Sequence, residues 1–80
     1  FYFGDERCVP PEDPDSNYGM VMNTLFNSGI PDGCKAHRII GEADDVVVEA
    51  NRYASILPDA VDVILLSIGD DGHIASIFPD

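Results

Sequence analysis

The sequence predicts an α/β fold with a parallel sheet, and three observations predict it. Two stretches carry apolar residues at helical spacing, short apolar segments of strand length precede, separate and follow them, and the last of these, "VDVILLS" at 61–67, is apolar almost without interruption. That run suits a strand buried on both faces of a sheet better than an edge strand with one wet side. The order strand, loop, helix, strand, helix, strand is the βαβ alternation of a parallel sheet.

Each element has its own warrant. Phe1 to Phe3 reads as an aromatic strand end, and "GDERCVPPEDPDS" after it holds three prolines and five acids, so it reads as a long loop. Ser16 or Asn17 is placed to cap a helix in which Tyr18, Met22, Leu25 and Phe26 share one face, closed by Gly29 and Pro31. "CKAHRII" reads as a short strand. Val46, Ala50, Tyr53, Ala54 and Leu57 mark a second helical face, with Asp44 and Asp45 complementing the helix N-terminus and Pro58 ending it.

Composition excludes several classes. With 80 residues the chain is one small domain at most, and Phe1 opening in mid-strand makes it read as part of something larger. A formal charge of −11 argues against nucleic acid, which needs a basic footprint, and no apolar run approaches the ~20 residues of a membrane span. Cys8 and Cys34 lack CxxC spacing, so reduced thiols in the cytoplasm are expected. "DPDSNYG" begins like a calcium-binding EF-hand loop, but Tyr18 stands where that loop needs glycine and Thr24 where it needs glutamate.

Ligands of parallel α/β sheets sit beyond the carboxyl ends of the strands. Both "GDER" after Phe3 and "GDDGH" after Ile68 leave such ends, so Asp5, Arg7, Asp70, Asp71 and His73 are expected to meet at one rim. Histidine takes a proton from water, a neighbouring carboxylate fixes its tautomer, and arginine holds a phosphate or a developing oxyanion. The bland alternative is a tight "DDGH" turn with a surface histidine. Arg38 and Arg52 read as solvated or strand-end charges, and Tyr18 and Tyr53 as core.

"GDERCVPPEDPDSNYGM" at 4–20 and "LLSIGDDGHIASIFP" at 65–79 resemble the two signature segments of the 6-phosphogluconolactonase family, and "AHRIIGE" at 36–42 is similar to the segment between them. The resemblance spans the chain, which corresponds to the middle third of a typical member. That family shares its "DGH" turn with glucosamine-6-phosphate isomerase/deaminase. Ser67, Ile74 and Asp80 depart from the usual Gly, Thr and Gly around the turn, leaving Asp71, Gly72 and His73 intact.

The resemblance implies a doubly wound, Rossmann-like parallel sheet with flanking helices, of which residues 1–80 are a fragment of a single 6-phosphogluconolactonase-like α/β domain. It implies hydrolysis of 6-phospho-D-glucono-1,5-lactone, a small anionic sugar-phosphate lactone, without a metal or other cofactor. It also raises fusion to, or association with, glucose-6-phosphate dehydrogenase. Carried onto this chain, His73 is the general base, Asp71 orients it, Arg7 holds the phosphate or the oxyanion, and Asp5, Gly72 and Asn17 join Arg7 in the substrate site. Helix capping accounts for Asn17 equally well. The family's glycine- and serine-containing phosphate loop and its basic C-terminal residues lie outside this stretch, so the substrate site is expected to be incomplete here.

Two rival functions stand beside this one. A sugar-phosphate isomerase or deaminase would use the same histidine turn for proton shuttling, but "GDER" and "ASIFP" differ from the "DEY" and "AFNEP" types of that group. A non-catalytic acidic α/β module is the other.

Overall fold

A parallel contact between Phe1–Phe3 and the segment around His37 organises the molecule. The structure, a computed structural model, describes residues 1–79, so the departure at Asp80 lies outside the described residues. Tyr2 and His37 form a parallel bridge, the Phe1 nitrogen donates to the Lys35 carbonyl at 2.8 Å, and His37 N–H donates to the Phe1 carbonyl at 2.9 Å. Helix α1 (Asn17–Asn23) lies between these segments in sequence, which is a parallel pairing with a helical crossover. This much accords with an α/β fold.

Helix α2 (Val46–Ile56) clamps that pair. The buried Tyr53 hydroxyl lies 2.9 Å from the Phe3 carbonyl and 3.1 Å from that of His37, so one proton serves both paired segments, and burial raises the phenol pKa. Phe3, Phe26 and Tyr53 form the core. Phe1 packs edge-on against Phe3 and Phe26 at 5.2 and 5.4 Å between ring centroids, a favourable aromatic geometry. Tyr53 therefore fulfils its expected core role, and Tyr18 adjoins the same core at 5.5 Å from Phe3.

α1 stops earlier than its apolar spacing predicts. Phe26 N–H reaches back five residues to the Val21 carbonyl at 3.1 Å, a wide turn that swings Phe26 inward and leaves Leu25 66% exposed. In α2 the Asp45 carboxylate caps the helix, accepting from Val47 and Val48 N–H at 3.0 and 3.2 Å. Its inward face is Glu49, Tyr53 and Ile56, whereas Val46, Ala50, Ala54 and Leu57 are exposed. An acid displaces the expected apolar face because it is fully used: Glu49 accepts from Ile40 N–H at 2.6 Å and from Arg52 at 2.5 and 2.7 Å. The Arg52 guanidinium is the main reason its carboxyl pKa falls to about 2.

The apolar run at 61–67 is the element expected as a buried strand. It forms no ladder among the described residues, and Val63 and Leu65 are 77% and 89% exposed. A strand buried on both faces needs a layer on each side, and among the described residues none covers this run. The radius of gyration, 13.4 Å, exceeds the roughly 12 Å of a closed domain this long. No described helix is long and apolar enough to cross a membrane.

Candidate active site

His73 is presented by a tight turn. Gly72 N–H donates to the Gly69 carbonyl at 2.9 Å, Gly69 N–H donates to the His73 carbonyl at 2.8 Å, and Ile68 and Ile74 pair antiparallel on either side. Gly72 has φ +89°, a conformation that costs other residues roughly 1–2 kcal/mol. Glycine at 72 thus lets the chain turn where Asp71 can face His73.

Three contacts hold the imidazole. Nδ1 lies 2.5 Å from an Asp71 carboxylate oxygen, the same oxygen accepts His73 N–H at 3.2 Å, and Phe78 stacks on the ring at 4.8 Å between centroids. The bare Cα of Gly69 lies against the ring, where a Cβ would overlap Cε1 and Nδ1. The hydrogen bond from the His73 ring, with its backbone N–H second, pulls the Asp71 pKa below the usual carboxylate value. An ionised carboxylate only accepts, so Nδ1 directs its hydrogen to Asp71, and Nε2 is the ring nitrogen with no hydrogen-bond partner among the described residues.

The Gly4–Arg7 loop forms the facing wall. The Glu6 carboxylate accepts from Arg7 and Asn17 N–H, each at 2.7 Å, from Ser16 Oγ at 2.9 Å and from Tyr18 N–H at 3.0 Å. Burial opposes the charge, but these four donors outweigh it and lower the Glu6 pKa. Ser16, 1% exposed, is the helix cap through Gly19 N–H at 3.0 Å. Asn17 is the first helical residue, and its side-chain amide donates to the Asp5 carbonyl at 3.3 Å.

These two walls enclose a cleft of about 330 Å³, with Asp5, Arg7 and Asn17 on one side and Ser67, His73 and Ala75 on the other. Ala75 sits at φ 51° in a turn closed by reciprocal Ile74–Ile77 hydrogen bonds of 3.0 and 2.8 Å. Strained backbone of this kind concentrates at functional sites. Of the residues expected at one rim, Asp5, Arg7 and His73 line this cleft, and Asn17, placed in the substrate site by the resemblance, lines it too. Asp71 reaches it through His73, Gly72 shapes the turn without lining the cleft, and Asp70 is exposed and does not line it.

The other two arginines are structural. Arg38 pairs with Glu42 at 2.9 Å and lies over the Tyr18 ring, and Arg52 pairs with Glu49. Arg7 forms no salt bridge among the described residues, so its charge is available to the cleft. Cys8 and Cys34 are free thiols. No group of three His, Cys, Asp or Glu side chains that could hold a metal occurs among the described residues.

Glu6 and Gly69 escaped the sequence reading. A signal for Glu6 exists: α1 has no acid in its first turn, so its N–H groups invite a carboxylate from elsewhere.

Comparisons with known proteins place the chain in a family. The family described as glucosamine-6-phosphate isomerases/6-phosphogluconolactonase matches residues 1–80. A 6-phosphogluconolactonase of Haemophilus influenzae is 43% identical over 84 residues, covering 99% of this chain and 36% of that protein. 6-Phosphogluconolactonase 4 of Saccharomyces cerevisiae is 38% identical, covering 98% of this chain and 35% of the yeast protein. The crystal structure of devB protein superposes with a TM-score of 0.83 at 42% identity, covering 95% of this chain and 35% of that one. The chain therefore spans about a third of the length of the relatives it matches, and it belongs to the glucosamine-6-phosphate isomerase/6-phosphogluconolactonase family.

Proposed function

We propose that the protein carrying this chain hydrolyses 6-phospho-D-glucono-1,5-lactone to 6-phosphogluconate, with His73 as general base. The observation that carries it is the 2.5 Å contact between His73 Nδ1 and Asp71, on a ring that lines one cleft with Arg7. The names of the relatives favour the lactonase over the isomerase branch.

In this mechanism Nε2 of His73 takes a proton from water as its oxygen attacks the lactone carbonyl carbon. Asp71, held ionised, stabilises the imidazolium that forms. Collapse of the tetrahedral oxyanion breaks the bond to the ring oxygen, which leaves with the proton returned by His73. Arg7 holds the phosphate or the oxyanion, Asp5 and Asn17 complete this side of the substrate site, and Gly72 shapes the turn that presents His73 to the substrate. A lactone is an activated ester, so these steps require no metal or organic cofactor.

The same proposal includes the finer architecture and setting. Residues 1–80 are a piece of one doubly wound α/β domain, in which 61–67 is an inner strand once its neighbours are present. The protein works in the cytoplasm, where Cys8 and Cys34 stay reduced. A dehydrogenase that makes the lactone, fused or associated, is the partner this chemistry suggests. The test is to assay the full-length protein for lactone hydrolysis and glucosamine-6-phosphate deamination side by side. Lactone turnover alone is expected, and deamination alone overturns the proposal.

A further inference from the structure

We propose that Glu6 is a positioning residue that fixes the Arg7 guanidinium in the cleft by locking the Gly4–Arg7 loop to the first turn of α1. The inference rests on the lactonase reading above and concerns how its arginine is aimed.

One oxygen of the Glu6 carboxylate accepts both Arg7 N–H and Asn17 N–H, each at 2.7 Å. Two of the cleft-lining residues of this wall, Arg7 and Asn17, are thus fixed relative to each other through a single atom. The second oxygen accepts Ser16 Oγ and Tyr18 N–H, at 2.9 and 3.0 Å, so the carboxylate bridges segments ten to twelve residues apart. The carbonyl of Arg7 is held as well: it accepts Val9 N–H at 2.8 Å and abuts Gly41, where a Cβ would overlap it. With its backbone pinned on both sides, Arg7 has only side-chain torsions left with which to wander.

Only an ionised carboxylate suits four donors and no acceptor. Glutamine keeps the volume but turns one acceptor into a donor that faces backbone N–H groups, loosening the loop. Aspartate keeps the charge but is one methylene too short to reach both ends of the bridge.

The experiment is a double-mutant cycle on lactone hydrolysis by the full-length protein, using Glu6→Gln, Arg7→Ala and the double variant. Glu6→Gln is expected to lower kcat/KM by about 10–100-fold, the scale of a misplaced catalytic contact. In the Arg7→Ala background the same change is expected to cost less than about threefold, because the residue it positions is gone. Equal losses in both backgrounds, the mark of general destabilisation, overturn the proposal, as does an unchanged kcat/KM in Glu6→Gln. Should Glu6→Gln fail to fold, Glu6→Asp takes its place in the cycle, with the same non-additivity expected and the same additivity fatal. A wild type without lactone turnover brings down the lactonase reading itself, which separates that failure from an additive cycle measured on an active enzyme.

Discussion

The imidazole of His73 lies directly against the Cα of Gly69, close enough that a methyl group there would overlap Cε1 and Nδ1. Gly69 is not among the positive-φ glycines, so alanine strains no backbone at that position and acts on the ring alone. Gly69→Ala is expected to push His73 off the Asp71 oxygen and cut lactone turnover by about 10²-fold, the cost of a misplacement near 1 Å. Steady-state kinetics and a thermal melt together check this. An alanine variant with full turnover shows that the ring has another productive position.

Arg7 carries the unpaired cation of the cleft. Arg7→Ala is expected to lower kcat/KM for the lactone by about 10²-fold, as loss of a charge-bearing contact does. A rise in KM alone assigns Arg7 to the phosphate in ground and transition states alike, whereas a fall in kcat alone assigns it to the oxyanion. Arg7→Lys is expected to stay impaired, since lysine keeps the charge and loses the planar fork. Unchanged kinetics in both variants removes Arg7 from the site.

Glu49 makes stability depend on acid. Its carboxyl pKa is depressed from 4.5 to about 2, chiefly by Arg52, so its contribution is complete above pH 4.5 and is lost as pH falls through the folded value. The difference in thermal midpoint between wild type and Glu49→Gln should therefore shrink as pH is lowered from 4.5 toward 2. A difference that stays constant over that window contradicts the ionised Glu49–Arg52 pair.

Metal should be dispensable to the reaction. A catalytic zinc takes three protein ligands and keeps a place for water, whereas the proposed base acts on water directly. Exhaustive chelation of the full-length protein is expected to leave lactone turnover unchanged. Loss that returns with an added divalent ion replaces the His73 base with a metal-bound hydroxide.

What the sequence disclosed and what it hid follow from where each signal resides. Asp45 and the apolar period located α2, and the Ser16–Asn17 pair located the start of α1, because caps and spacing are local. The two acidic loops were expected at one rim from the βαβ order, and Asp5, Arg7 and His73 do line one cleft. Glu6 and Glu49 stayed hidden because their partners include backbone N–H groups far along the chain, which no residue identity announces. Gly69 stayed hidden too, since the reason for its missing Cβ is a ring four residues later. The run at 61–67 announces a buried strand, but burial requires neighbours that none of the described residues provides.

His73 is the centre of the account, and its removal is the most direct test. His73→Ala in the full-length protein leaves Asp71, Arg7 and the glycine turn in place while deleting the only proposed proton acceptor. Lactone hydrolysis, measured above the spontaneous rate, is expected to fall by about 10²–10⁴-fold with the thermal midpoint little changed. A folded His73→Ala protein that keeps most of its turnover contradicts the general-base mechanism.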